Sequence, residues 1–554
     1  MVFTLHRYIF NETLRVFILA ALALTLMLSL GSIIEPIQKY GVGPRQVVHL
    51  IGYSLPITLT FVLPMAALFA TTMVYGRFAS DNELDACRAS GISMLTLVYP
   101  GFALAIMVAT ANLVLSFHVM PAFVHRAQKS IKADAKQILF RNIQRRGYYK
   151  LPGKPERQYR IYADRADSQN DTLYGVVVAD IENGAIEKIT TAESANVRFD
   201  SDARFQQVKI TARNTYQTGP GGETALGVST FAKEFPSLLA DDIKFKNIKK
   251  MKQIAADPMQ FSPVARLAGN LYARFTAELL AQDINATINR PTDNYYELYS
   301  GSKRLKFTAD NCFVPDKEER VELTGAVVVD EYDVVVKSSA ISEMLLRTLR
   351  CSRALLDIEG DQFDPTLTMV LFDAGWRQKN GLDVIDQMPI FRGLIVPTAA
   401  APHGQLPQSA KEQQMSQDEL ILEAIDPNSI AAALHKGPSS QLKSNQQQLY
   451  LEIANTLAEI KAEIHSRLVF GIGCVPLIMI GIGLGIVKKD GHLLTAFGIS
   501  AVPATILIVG IMTGRNITKN PSSSQFVSGE TVIWSGVLVL LVLAGVVYRR
   551  LLKH

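Results

Sequence analysis

Residues 75–93 read YGRFASDNELDACRASGIS, a polar, helix-compatible segment set between two long hydrophobic runs. A short charged helix held at both ends by the membrane cannot leave its surface, so it is placed to carry force from a soluble partner into the flanking spans. Ser80 and Glu83 stand in the S-x-x-E relation of a capping box, with Gly91 as the stop. The segment is therefore expected to form a coupling helix over 76–91. The same pattern also fits a solvated loop between spans, and the surroundings bear on the choice.

Working outward, three apolar runs precede the large polar middle of the chain, at about 16–34, 47–76 and 92–124, and three follow it, at about 468–487, 493–513 and 532–548. Each is close to or above the roughly 20 residues that an apolar helix needs to cross a bilayer. Pro56, Pro64 and Pro100 fall inside the second and third runs and predict kinks. Residues 2–15, with Phe3, Tyr8 and Phe10 beside Arg7 and Arg15, suit an interfacial helix leading into the first span. No small-residue cleavage site follows, so a cleavable signal peptide is not expected.

The middle reads as β structure twice. RQYRIYADRA, LYGVVVADI and FQQVKITARNTY alternate like strands within about 147–245, and RLKFTADNCF, RVELTGAVVVDEYDVVV and TLTMVLFDAG do so within about 292–375. Helical sequence separates them. The fold class that follows is a membrane α-helical protein of six transmembrane helices plus an extramembrane all-β, jellyroll-like domain, expanded and with helical insertions. The division is 1–121, an N-terminal membrane half; 122–393, the β region; 394–467, a linker rich in Ala, Pro, Gln and Ser with further helices; and 468–554, a C-terminal membrane half.

Short-loop charges set the orientation. With the N-terminus in the cytosol, inside segments hold Arg7, Arg15, Arg77, Arg88, Lys488, Lys489, Arg549, Arg550 and Lys553, against Lys39, Arg45, Arg515 and Lys519 outside. Both termini and the coupling segment are then cytosolic, and the β region is outside. There an oxidising compartment would permit a bridge between Cys312 and Cys351.

Composition removes several classes of function. The chain is 48% hydrophobic with a net charge of +5 over 554 residues, and no Lys/Arg-rich tract or zinc-finger spacing occurs, which argues against nucleic-acid binding. No G-x-x-x-x-G-K-[ST], H-E-x-x-H or G-x-S-x-G occurs, so neither a P-loop nor a familiar hydrolase site is expected. No metal site is expected from the histidines, and His118 and His125 read as interfacial polar residues. The spans carry essentially no Asp, Glu, Lys or Arg, although ion-coupled carriers need ionisable groups at mid-membrane depth. Energy is then expected from a separate ATPase, with ATP held by that partner and no cofactor on this chain. Arg126, Lys129 and Lys132 on one helical face, with Lys39 and Arg45 in an outer loop, suit an anionic lipid head group; snorkelling at a helix end explains the same residues without a ligand.

LHRYIFNETLRVFILA at the start, LPMAALFATTMVYGRFASDNELDACRASGIS around the coupling segment and EIHSRLVFGIGCVPLIMIGIGLG at the return to the membrane together resemble the LptF/LptG (YjgP/YjgQ) family. Its members are permease subunits that extract lipopolysaccharide from the bacterial inner membrane. The resemblance implies a second permease of the same kind, an LptB-like ATPase dimer, and a periplasmic LptC/LptA-like β-jellyroll partner that takes the lipid by strand continuation. It also implies that Glu83 engages the ATPase, with Asp81, Arg77 and Arg88 nearby. Two departures stand out: Glu35 occupies a place where some members have lysine, and the outer region is longer than one jellyroll needs. Two other readings compete, a mechanotransmission subunit that moves no lipid and a secondary lipid flippase.

Overall fold

A computed structural model describes residues 2–40, 44–150, 157–182, 185–201, 206–219, 222–234, 242–290, 294–301, 303–316, 318–337, 340–361, 364–377, 383–386, 389–395, 417–487, 493–519 and 528–553. They form two compact units, Met1–Ala256 with Ala454–His554, and Asp257–Ile453.

In the first unit α1 (Val2–Tyr40) and α2 (Pro44–Ser80) are long apolar helices, followed by the short α3 (Glu83–Ala89) and by α4 (Met94–Val114). The helix then passes through a π-helical turn, Leu115–Val119, into α5 (Met120–Arg146). Pro56 and Pro64 sit inside α2 and Pro100 inside α4, where each removes one ladder hydrogen bond. Thr60 Oγ1 donates back to Pro56 O at 3.0 Å.

Six antiparallel strands follow α5, each paired with its sequence neighbour: β1 (Tyr148–Lys150), β2 (Arg157–Asp167), β3 (Thr172–Glu182), β4 (Ala185–Ser201), β5 (Gln206–Gly219) and β6 (Gly222–Glu234). The alternation that predicts strands also selects the buried face. Ile161, Ala163, Leu173, Val176, Val197, Ile210 and Ala212 form one apolar cluster with Leu139, Phe140 and Ile143 from the end of α5. This is the jellyroll-like unit expected from the sequence, built as a meander whose apolar side is covered by the helix that leads into it. Helix α6 (Ile248–Ala256) ends this part of the unit.

The second unit opens with α7 (Ser262–Ile288). A nine-stranded antiparallel sheet follows: β7 (Tyr296–Ser300), β8 (Lys303–Thr308), β9 (Asn311–Phe313), β10 (Val321–Lys337), β11 (Ala340–Asp361), β12 (Asp364–Phe372), β13 (Ala374–Arg377), β14 (Asp383–Asp386) and β15 (Ile390–Ile395). Its core of Leu305, Phe307, Val329, Leu349, Leu356 and Met369 is filled from α7 by Ala277, Leu280, Ala281 and Ile284. Arg274 of α7 is buried with Glu278 at 2.9 Å and donates to the carbonyls of Pro315 and Glu318 at 2.5 and 2.7 Å, which supplies the partners a buried guanidinium requires. The second β stretch is thus a helix-filled half-barrel with its own topology rather than a copy of the first sheet.

Short helices α8 (Gln417–Ala424) and α9 (Pro427–Ala433) lead to α10 (Ser440–Val487), one continuous helix of 48 residues, then α11 (Leu493–Lys519) and α12 (Gly529–Lys553). Among the described residues five helices are long and apolar enough to cross a membrane: Phe3–Gly31, Leu55–Ser80, Met94–Arg126, Ser440–Val487 and Gly529–Leu551. The stretch predicted as the fifth of six spans is also helical, as α11. Glycines let α10 close on α2, since a Cβ on Gly485 would lie 2.7 Å from Thr72 O. The KKDG turn at 488–491 and the linker after residue 395 lie outside the described residues.

The cysteine bridge that an oxidising compartment would permit is not formed. Cys312 pairs in register with Leu323 and Cys351 with Val327, both as free thiols. Burial pushes the Cys312 thiol up to about 12, well away from the reactive thiolate.

Candidate functional site

The predicted coupling segment is helical, but its boundaries differ from 76–91. Helix α2 runs on to Ser80, and α3 takes only Glu83–Ala89. The capping box is not made: Ser80 Oγ donates to Arg77 O at 2.9 Å, closing the end of α2, while Asn82 holds the N-cap position at φ 57° with no side-chain cap bond. The reason is tertiary. Tyr75, Phe78 and Ala79 are buried in the helix-packing core, so α2 stays wound past the point where the local motif would start a new helix.

Gly91 does stop the segment, at φ +84° in the left-handed region that suits glycine, with its N–H on Arg88 O and that of Ile92 on Cys87 O. Ser93 then caps α4 by accepting from Thr96 N at 3.3 Å. Leu84 is the one buried residue of α3 and pins it to the core, a burial worth about 1.5–3 kcal/mol. Asp81, Glu83 and Asp85 are exposed, the last two in the first turn, where carboxylates complement the helix dipole. Arg88 lies 3.9 Å from Asp85. The outward surface of the segment is therefore acidic.

Arg77 is placed differently from its neighbours. Its guanidinium bonds Glu12 of α1 at 3.0 Å and lies 5.4 Å from the Phe78 ring centroid. It braces α2 against α1. Glu12, which also lies 3.9 Å from Arg15, was given no role by sequence reasoning because its partner is far along the chain.

Of the basic outer residues, Arg126 is exposed on α5 with its guanidinium over the Phe123 ring at 5.8 Å. The side chains of Lys39, Arg45, Glu35, Lys129 and Lys132 lie outside the described residues, although their backbones belong to α1, α2 and α5.

A second charged constellation, to which the sequence reading gave no site role, sits where α10 enters its apolar stretch. Arg467 is buried, pairs with Glu463 at 2.9 Å, and donates to Ser116 O at 3.0 Å and Lys244 O at 2.8 Å. The π-helical turn around Ser116 is a place where helix carbonyls depart from the regular ladder. Arg515 of α11 reaches Glu463 at 2.5 Å, and Lys519 reaches Glu459 at 2.5 Å. Beside them, Lys461 and His465 face Glu530 of α12, and Trp534 Nε1 donates to His465 Nδ1 at 3.1 Å. Asp242 is held below the usual carboxylate range: burial works to raise it, but the Lys244 ammonium at 2.8 Å and the Lys244 amide outweigh that. The signal that could have singled out Glu463 and Arg467 is their i, i+4 spacing at the point where the polar half of the helix gives way to its apolar half.

The geometry is that of a membrane helical assembly with a small acidic helix at one turn and a strand-rich unit inserted between its halves. The family of lipopolysaccharide export system permeases LptF/LptG matches residues 7–281, which take in α1–α6, the first sheet and most of α7. No curated protein matches the chain.

Proposed function

Because the chain belongs to the LptF/LptG permease family, we propose that it is the membrane subunit of an ATP-driven exporter that extracts lipopolysaccharide, or a related glycolipid, from the inner membrane. The observation that carries this reading is α3, a helix pinned by one buried leucine and presenting Asp81, Glu83 and Asp85 outward. Such a helix can press on a separate ATPase and pass its movement into α2 and α4. ATP is bound and hydrolysed by that LptB-like dimer, and this chain supplies no nucleotide site.

In the same reading the termini and α3 face the cytosol and the strand-rich parts face the periplasm. Lys39, Arg45, Arg126, Lys129 and Lys132 meet the lipid head group, and a second permease, identical or paralogous, completes the path. The first sheet is the exit: among the described residues β6 is paired with β5 alone, which leaves a long edge strand for an LptC/LptA-like jellyroll to extend. The second sheet builds its own core with α7 and has no part in the lipid path in this reading.

Purification from the native membrane tests the reading. An ATPase and a glycolipid are expected to travel with the chain; an ATPase without glycolipid would favour the mechanotransmission role, and neither would refute the proposal. A photo-crosslinker along β6 is expected to capture a periplasmic β-jellyroll protein.

A further inference from the structure

Pro100 lies inside α4 and cannot donate to the carbonyl of Thr96, four residues before it. His6 of α1 takes that place, with Nε2 2.9 Å from Thr96 O, in the tautomer that carries its proton there. One residue further on, the hydroxyl of Tyr75 donates to Leu97 O at 3.0 Å and accepts from Gly101 N at 3.1 Å. Leu97 O and Gly101 N–H are the pair that an unbroken helix bonds directly. A side chain set into the ladder at that point is one of the few recognised causes of a sharp helix bend.

The insertion is built for. Tyr75 is fully buried, and a Cβ on residue 101 would lie 2.9 Å from its hydroxyl oxygen and 2.4 Å from Cδ1 of Ile482 on α10. Only glycine leaves room for both. Three helices thus meet at one backbone position, and one of them, α2, ends a few residues later at the turn into α3.

We propose that Tyr75 is a positioning residue that passes the displacement of α3 to α4 and α10, an inference that rests on the reading of the chain as an ATPase-driven permease subunit. With the hydroxyl inserted, the Leu97–Gly101 rung of α4 is held open by a bridging oxygen; with it withdrawn, Gly101 N–H bonds Leu97 O directly and the ladder closes. Each arrangement satisfies both backbone groups, but withdrawal takes the buried Tyr75 hydroxyl off its two partners, so the inserted state is the favoured one and a movement of α2 is what biases the element away from it.

The test uses the whole complex with its ATPase, in proteoliposomes containing lipopolysaccharide, with a soluble β-jellyroll acceptor outside. Tyr75→Phe keeps the ring and deletes the hydroxyl. Pro100→Ala restores the missing N–H and removes the break by an independent route. Both variants are expected to retain ATPase association and hydrolysis within about twofold of the parent, while lipid delivered per ATP hydrolysed falls about tenfold or more, since without the joint the movement of α3 reaches only the first turn of α4 and not the part beyond Pro100. Spin labels at the exposed Ser90 and Val114 are expected to show a nucleotide-dependent distance change in the parent that is lost in both variants. Parental delivery per ATP in either variant overturns the proposal. So does a fall in hydrolysis in step with delivery in both, which would assign the joint to maintenance of the fold. A parent complex with no ATP-dependent delivery would overturn the permease reading and this one with it, and is told apart because it needs no substitution.

Discussion

Arg467 and Glu463 offer a measurable ordering of two substitutions. Arg467→Met removes a charge-assisted bond to Glu463 and strands the carbonyls of Ser116 and Lys244, while leaving Glu463 paired with Arg515. Two orphaned acceptors at about 1–3 kcal/mol each, less what the methionine packing returns, give a loss of about 2–4 kcal/mol. Glu463→Gln does the opposite. It takes the counter-charge from two guanidiniums, one of them, that of Arg467, only 4% exposed, and removing one partner of a buried pair costs about 3–5 kcal/mol. Glu463→Gln is therefore expected to be the more damaging, and the double variant Glu463→Gln/Arg467→Met to recover part of the loss, because no buried charge is then left unpaired. Denaturant titration in detergent micelles, followed by a probe on α10, measures all three. A loss below about 1 kcal/mol for both single variants, or Arg467→Met as the worse of the two, would refute the reasoning.

Glu83→Ala is expected to leave the chain inserted and folded but to weaken capture of the ATPase about ten- to hundredfold, the equivalent of one charge-assisted contact of about 1.5–3 kcal/mol; unchanged capture in a quantitative pull-down removes Glu83 from the contact. Arg126, Lys129 and Lys132 changed together to Gln should lower lipopolysaccharide crosslinking at the outer mouth with basal ATP hydrolysis intact, whereas equal crosslinking would leave those residues as helix-end snorkellers. In the second sheet, burial of Glu331 works to raise its carboxyl, but Lys303 and Arg347, each at 2.7 Å, outweigh that and hold it low. A carboxyl lowered on folding contributes stability that is fully present above its unfolded value, about pH 4.3, and is lost as the pH falls below it. Protection of the β10 amides, taken as intrinsic over observed exchange, should accordingly fall between about pH 5 and 3 more steeply in the parent than in Glu331→Gln, and parallel pH profiles would count against it.

What the sequence determined by itself is whatever depends on runs of neighbouring residues. Apolar length placed the long helices, alternation placed both β stretches, and Gly91 marked the end of the coupling helix because only its own φ matters there. The tertiary structure decided what depends on residues far apart in the chain. Ser80 and Glu83 form a sound local motif, yet packing of Tyr75, Phe78 and Ala79 keeps α2 wound through it and moves the cap to Asn82. Arg77 looks like a free cation in a polar segment until Glu12, 65 residues away, is brought against it. Arg467 finds Ser116 O across 351 residues and the Tyr75 hydroxyl finds Gly101 N across 26, contacts that no window of sequence contains. A side chain's partner is fixed by which helices close on each other, and that closure is set by the whole set of packed surfaces rather than by any one segment.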